Sequence, residues 1–117
     1  MHKYEDLEVW QVAYQLTLAV YADTRAFPAE ERYGLSAQMR RAAVSVISNI
    51  AEGAGRATPG EFRNQVSGAT GSVLELECQL RLSADLGYMA RETVRVRRET
   101  CASVTRMLYR LGQSLQA

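Results

Sequence analysis

The stretch from Phe27 to Arg56, FPAEERYGLSAQMRRAAVSVISNIAEGAGR, restricts the fold more than any other part of the chain. Wound as a helix from Gly34 onward, at about 100° per residue, it carries three stripes rather than one. Leu35, Met39, Ala42, Ala43, Val46 and Ile50 form an apolar core stripe. Gln38, Arg41, Ser45, Ser48, Asn49 and Glu52 form a polar seam beside it. Val44, Ile47 and Ala51 make a third stripe, apolar or small again. A surface helix of a small monomer needs one apolar side. Two such sides with a seam between them imply neighbours in several directions.

The same period runs through three more segments. Leu7, Trp10, Tyr14, Leu18 and Tyr21 repeat at three and four, which predicts a first helix over residues 7–25 with Asp6 as its N-cap. Val9, Ala13, Leu16 and Val20 form a second stripe beside them. The second helix is expected over 34–53, ending in the glycine-rich EGAGRATPG loop. Thr58-Pro59-Gly60-Glu61 reads as a capping box opening a third helix over 59–86. Phe62, Val66, Ala69, Val73, Leu76, Leu80 and Ser83 supply its core line. Gly71, Leu74, Cys78 and Leu82 lie on the other side. A fourth helix over 91–115 has Val94, Cys101, Val104, Leu108, Leu111 and Leu115 as its core stripe, with Arg97 inside it, snorkelling at the end of the bundle. Four helices, short connections and no period-two segment predict an all-α fold, an antiparallel up-down-up-down four-helix bundle, as a single domain over 1–117.

Surplus apolar stripes on three helices predict that the protein is not a monomer. Val9, Ala13, Leu16, Val20, Val44, Ile47, Ala51, Gly71, Leu74, Cys78 and Leu82 are the residues expected in that interface. In the seam, Arg41 is expected to pair with Glu75 or Glu77, or with Glu52 of a neighbouring copy, because an unpaired buried charge is costly.

An enzyme is not expected. The one histidine, His2, sits at the chain's start, and the Glu-x-x-His pairs of a di-metal bundle are missing, so no catalytic, metal or cofactor residue is assigned. The glycine-rich loop lacks the GxxxxGK[ST] spacing of a phosphate loop. Cys78 and Cys101 have no CxxC spacing and read as small buried residues of a reducing compartment. Without an apolar run of membrane-spanning length or a signal-peptide core, the expectation is cytoplasmic, with no membrane partner. Arg91, Arg95, Arg98, Arg106 and Arg110 gather on one side of the fourth helix and could track a phosphate backbone. Weak nucleic-acid binding is therefore the leading functional expectation, with DNA and RNA both open. A protein–protein scaffold or adaptor with no nucleic-acid role is the alternative, and salt-dependent binding would separate the two.

DLEVW at 6–10, the 27–56 stretch and GSVLELECQL at 71–80 resemble the four-helix bundle proteins encoded in 23S rRNA intervening sequences. The resemblance covers nearly the whole chain. It implies a bundle that assembles into a ring, usually a homopentamer. It also implies kinship with the accessory variability determinant of diversity-generating retroelements, a basic barrel that binds nucleic acid beside a reverse transcriptase.

Overall fold

The computed structural model describes residues 3–116. His2 lies outside them. The described chain is all-helical, with no strand. Two short 3-10 turns, Tyr4–Asp6 and Ala29–Glu31, accompany four α-helices: α1 Glu8–Thr24, α2 Leu35–Ala54, α3 Pro59–Asp85 and α4 Arg91–Ser114. No helix among the described residues is long and apolar enough to cross a membrane.

The helices pack in chain order around one core, α1 on α2, α2 on α3, α3 on α4, and α4 back on α1. The α2–α3 interface is the most extensive and α1–α4 the least. Cross-helix bonds set the antiparallel register: Thr17 Oγ1 donates to Ala43 O at 3.3 Å, Ser45 Oγ meets Ser72 Oγ at 2.8 Å, and Ser83 Oγ donates to Met39 Sδ at 3.3 Å.

The stripes read from α2, α3 and α4 are the core. Met39, Val46, Ile50, Val73, Leu76, Leu80, Val104 and Leu108 are buried completely or nearly so. The α3 start is as expected: Glu61 N donates to Thr58 Oγ1 at 3.2 Å, with Pro59 in the first turn. The Glu61 carboxylate reaches one residue further back, to the Ala57 N–H at 3.2 Å. At the other end of α3, Gly87 takes φ +77°, and the N–H of Tyr88 reaches back to Ser83 O at 2.9 Å. This closes the helix by the left-handed glycine device.

Helix α1 overturns the sequence reading in two respects. Its N-cap is Leu7, with no side-chain cap, because Asp6 is taken up in the preceding 3-10 turn. Its two apolar stripes are also exchanged. Val9, Ala13, Leu16 and Val20, assigned above to an intersubunit interface, are buried in the bundle, while Tyr14, Leu18 and Tyr21 are exposed. The small and β-branched stripe lets α1 approach Ala42 and Ala43 of α2 closely. Thr17 and Thr24 join that stripe without an unmet hydroxyl, since each donates to its own backbone four residues earlier, at 2.8 Å. The rings are at home outside, where their polar tips reach water. Trp10 stacks on Tyr14 with centroids 4.8 Å apart, and the Arg40 guanidinium lies 4.8 Å from the Tyr21 ring centroid.

Two smaller expectations also change. Cys78 is exposed on α3, whereas Cys101 is buried, and burial pushes its thiol up to about 12, so it stays protonated and inert. Arg97 does not snorkel. It makes a two-pronged ion pair with Asp23 of α1, Nε to Oδ2 at 2.7 Å and Nη2 to Oδ1 at 3.1 Å.

Candidate functional site

Three surfaces compete as the functional site. The first is the polar seam along the outer groove between α2 and α3. Its centre is a neutral network: Asn49 Nδ2 donates to Ser45 O at 2.8 Å and to Ser45 Oγ at 3.1 Å, and Ser45 meets Ser72 across the groove. Gly68 is what lets Asn49 sit there, since a Cβ at 68 would stand 3.0 Å from Asn49 Oδ1. Gln38, Ser48 and Glu52 are exposed at the rim.

The expected Arg41 pairing to Glu75 or Glu77 is not made. Arg41 is exposed and has no ion pair among the described residues. Glu75 instead accepts from Gln79 Nε2 at 3.1 Å, one turn along its own helix. Glu77 turns the other way and accepts from Arg98 of α4 at 3.2 Å. At about 100° per residue, Glu77 points toward α4 while Glu75 stays beside α2. With its guanidinium in water, Arg41 has no desolvation cost to offset and needs no partner.

The second surface is the arginine side of α4. Arg91 binds Asp85 at 3.1 Å, Arg95 is held between Glu92 and Glu99, and Arg98 is paired with Glu77. Hydrogen bonds from Arg95, and then its positive charge, lower the Glu92 carboxyl below the usual range. Arg106 reaches only Ser103 Oγ, at 3.1 Å, and Arg110 has no ion pair among the described residues. A groove of about 630 Å³ between α3 and α4 is lined by both members of several of these pairs, so its charge is mixed rather than basic.

The third surface is apolar and divided in two. One strip runs along the outer edge of α1 and α2 through Tyr14, Leu18, Tyr21 and Val44. The other runs along α3 through Gly71, Leu74, Cys78 and Leu82, with Leu74 54% and Leu82 47% exposed. The polar seam lies between them. Ile47 and Ala51 are half-buried beside the first strip. Of the eleven residues expected in an interface, the four on α1 are core, and Tyr14, Leu18 and Tyr21 hold the outward position instead. Among the described residues, no cluster of three or more His, Cys, Asp or Glu is placed to hold a metal ion.

Comparison with known proteins places this geometry in a family. No curated protein matches the chain. Among solved structures, it is similar to a protein of unknown function from the S23 ribosomal protein family of Bacteroides thetaiotaomicron VPI-5482. The two are 19% identical with a TM-score of 0.83, over 90% of this chain and 95% of that one. At that identity the likeness speaks for the fold. The sequence profile of the 23S rRNA-intervening sequence proteins matches residues 5–110. That match covers all but the ends of the 117 residues, and the chain belongs to the 23S rRNA-intervening sequence protein family.

Proposed function

We propose that the protein is a non-enzymatic subunit that assembles with copies of itself into a ring and serves as a scaffold or adaptor. The observation that carries this reading is the pair of separate apolar strips, on α1–α2 and on α3. Two unlike patches on different faces suit head-to-tail contact, and head-to-tail contact closes into a ring when the rotation permits. A pentamer is the number that the family resemblance suggests. In sedimentation at micromolar concentration, the wild type should run at several times 13.0 kDa. Leu74→Asp with Leu82→Asp should reduce it to a single chain with its helical circular dichroism intact. A wild type that sediments as one chain would refute the reading.

A second reading, weak nucleic-acid contact through α4, is supported by Arg106 and Arg110, which hold no carboxylate among the described residues. Repetition around a ring would multiply that modest patch, and the suggested kinship with the retroelement accessory protein fits it. Arg91, Arg95 and Arg98 are already matched by acids, which is why the scaffold reading comes first. In a gel shift at low salt, Arg106→Gln with Arg110→Gln should weaken retention of DNA or RNA and flatten its salt dependence. No retention by the wild type removes this second reading and leaves the first untouched.

A further inference from the structure

At the corner where α1 hands over to α2 there is a cavity of about 390 Å³. Arg25, Arg32 and Arg40 line it, and no carboxylate does. This sets it apart from the α4 face, where arginines and acids alternate. Arg25 and Arg32 have no ion pair among the described residues. The Arg32 guanidinium rests 5.5 Å from the Tyr33 ring centroid. Arg40 is held by its Nε, which donates to Thr24 Oγ1 at 2.8 Å, and by the Tyr21 ring on which it stacks. Thr24 is buried and anchored to Val20 O, so this arginine is positioned in advance.

The floor of the cavity includes the first turn of α2. Gly34 is its N-cap and offers no side-chain acceptor. The N–H of Leu35 is taken by Glu31 Oε1 at 3.0 Å, and the first intrahelical bond is Gln38 N to Gly34 O. The N–H groups of Ser36 and Ala37 therefore have no acceptor among the described residues, at the positive end of a 20-residue helix. Ser36 is 5% exposed and lines the cavity, and its hydroxyl has no hydrogen-bond partner among the described residues. The residue is otherwise enclosed, so the hydroxyl is open only on the cavity side, where a ligand oxygen could accept from it. The nearest acids do not fill the role of partner to the arginines. Glu30 is exposed outside the lining, and the Glu31 carboxylate is occupied by the Leu35 N–H and by Tyr88 Oη at 2.9 Å.

We propose that this corner is a binding site for the phosphate group of a small phosphorylated ligand. Three guanidinium groups, the Ser36 hydroxyl and the Ser36 amide at a helix start match the acceptor-rich, doubly charged phosphate. The volume leaves room for an organic part beyond the phosphate itself. The site uses none of the α4 arginines, and through Arg40 on the Tyr21 ring it borders the α1–α2 apolar strip.

The test is calorimetric titration of the intact protein with inorganic phosphate and with a nucleoside monophosphate, at neutral pH and low salt. Saturable binding of both is expected, with the monophosphate at least as tight. Arg25→Gln with Arg32→Gln should weaken it roughly ten-fold or more. Ser36→Ala should weaken it less, and Arg106→Gln with Arg110→Gln should leave it unchanged. Amide NMR shifts on the wild type check the location without any variant, and Ser36 and Ala37 should move first. Absence of saturable binding into the millimolar range overturns the proposal. So does unchanged affinity in a folded Arg25→Gln, Arg32→Gln variant, or shifts confined to α4. Binding of inorganic phosphate with exclusion of the monophosphate overturns the assignment to a phosphorylated ligand.

Discussion

Gly53→Val should destabilise the protein by about 2–3 kcal/mol, read as a drop in the urea midpoint at unchanged slope. Gly53 is buried at the end of α2, one residue before the helix closes. A Cβ there would stand 2.6 Å from Phe62 Cδ1 and 2.9 Å from Gln65 Cβ. The Phe62 ring can swing aside. Gln65 Cβ cannot, because it is fixed to the α3 backbone. The two helices would have to part at the end where their loop joins them, and they share the largest interface of the bundle. The gain in helix propensity over glycine, at most about 1 kcal/mol, does not offset that. Gly71 is the control, since a Cβ there meets nothing within 4 Å. Gly71→Ala should leave the bundle equally stable or stabilise it by about 0.5–1 kcal/mol. Equal midpoints for Gly53→Val and wild type would show that α2 and α3 are not so closely apposed.

The second large effect is expected at the Asp23–Arg97 pair. Its side chains are only 14% and 25% exposed, and it joins α1 to α4 across the least extensive of the four interfaces. The hydrogen bonds to Asp23 raise the Arg97 pKa above its ordinary value, against the opposing effect of burial. Asp23→Ala leaves a guanidinium half-sheltered with no partner, and Arg97→Ala does the same to a carboxylate. Each single change should cost about 2–3 kcal/mol, less than for a pair wholly removed from water. The double variant should cost clearly less than the sum, with a coupling of about 1–2 kcal/mol. Arg97→Lys should recover only part, since an ammonium cannot make the two-pronged contact. A coupling under about 0.5 kcal/mol would place the pair with ordinary surface salt bridges.

The contrast between α1 and the other helices shows what the sequence can carry. In α3, one line from Val66 to Ser83 is apolar or small without a break, so only one face can be the core. In α1, both faces are apolar, and the choice depends on shape. Thr17 and Thr24, seven residues apart beside Ala13 and Val20, are the available signal for the buried face, since each can bond its own backbone there. Partnerships between helices were not legible at all. Whether Glu77 meets Arg41 or Arg98 depends on a rotation of α3 that no local pattern states. The same holds for the corner cavity. Arg25, Arg32 and Arg40 stand seven and eight residues apart on either side of a turn that also contains Glu30 and Glu31. Read along the chain, that segment is electrically mixed. Only folding sends one acid to cap α2 and leaves the three arginines together.

Up-down-up-down topology also decides where the chain's two ends emerge. The start of α1 and the end of α4 lie at one end of the bundle, and the α1–α2 corner lies at the other, a helix length away. Seventeen residues of α1 at about 1.5 Å each put roughly 25 Å between them. A fluorophore or affinity handle attached at either end therefore leaves the corner unobstructed. In any ring of parallel subunits, all such attachments would crowd one rim while the corners line the opposite one.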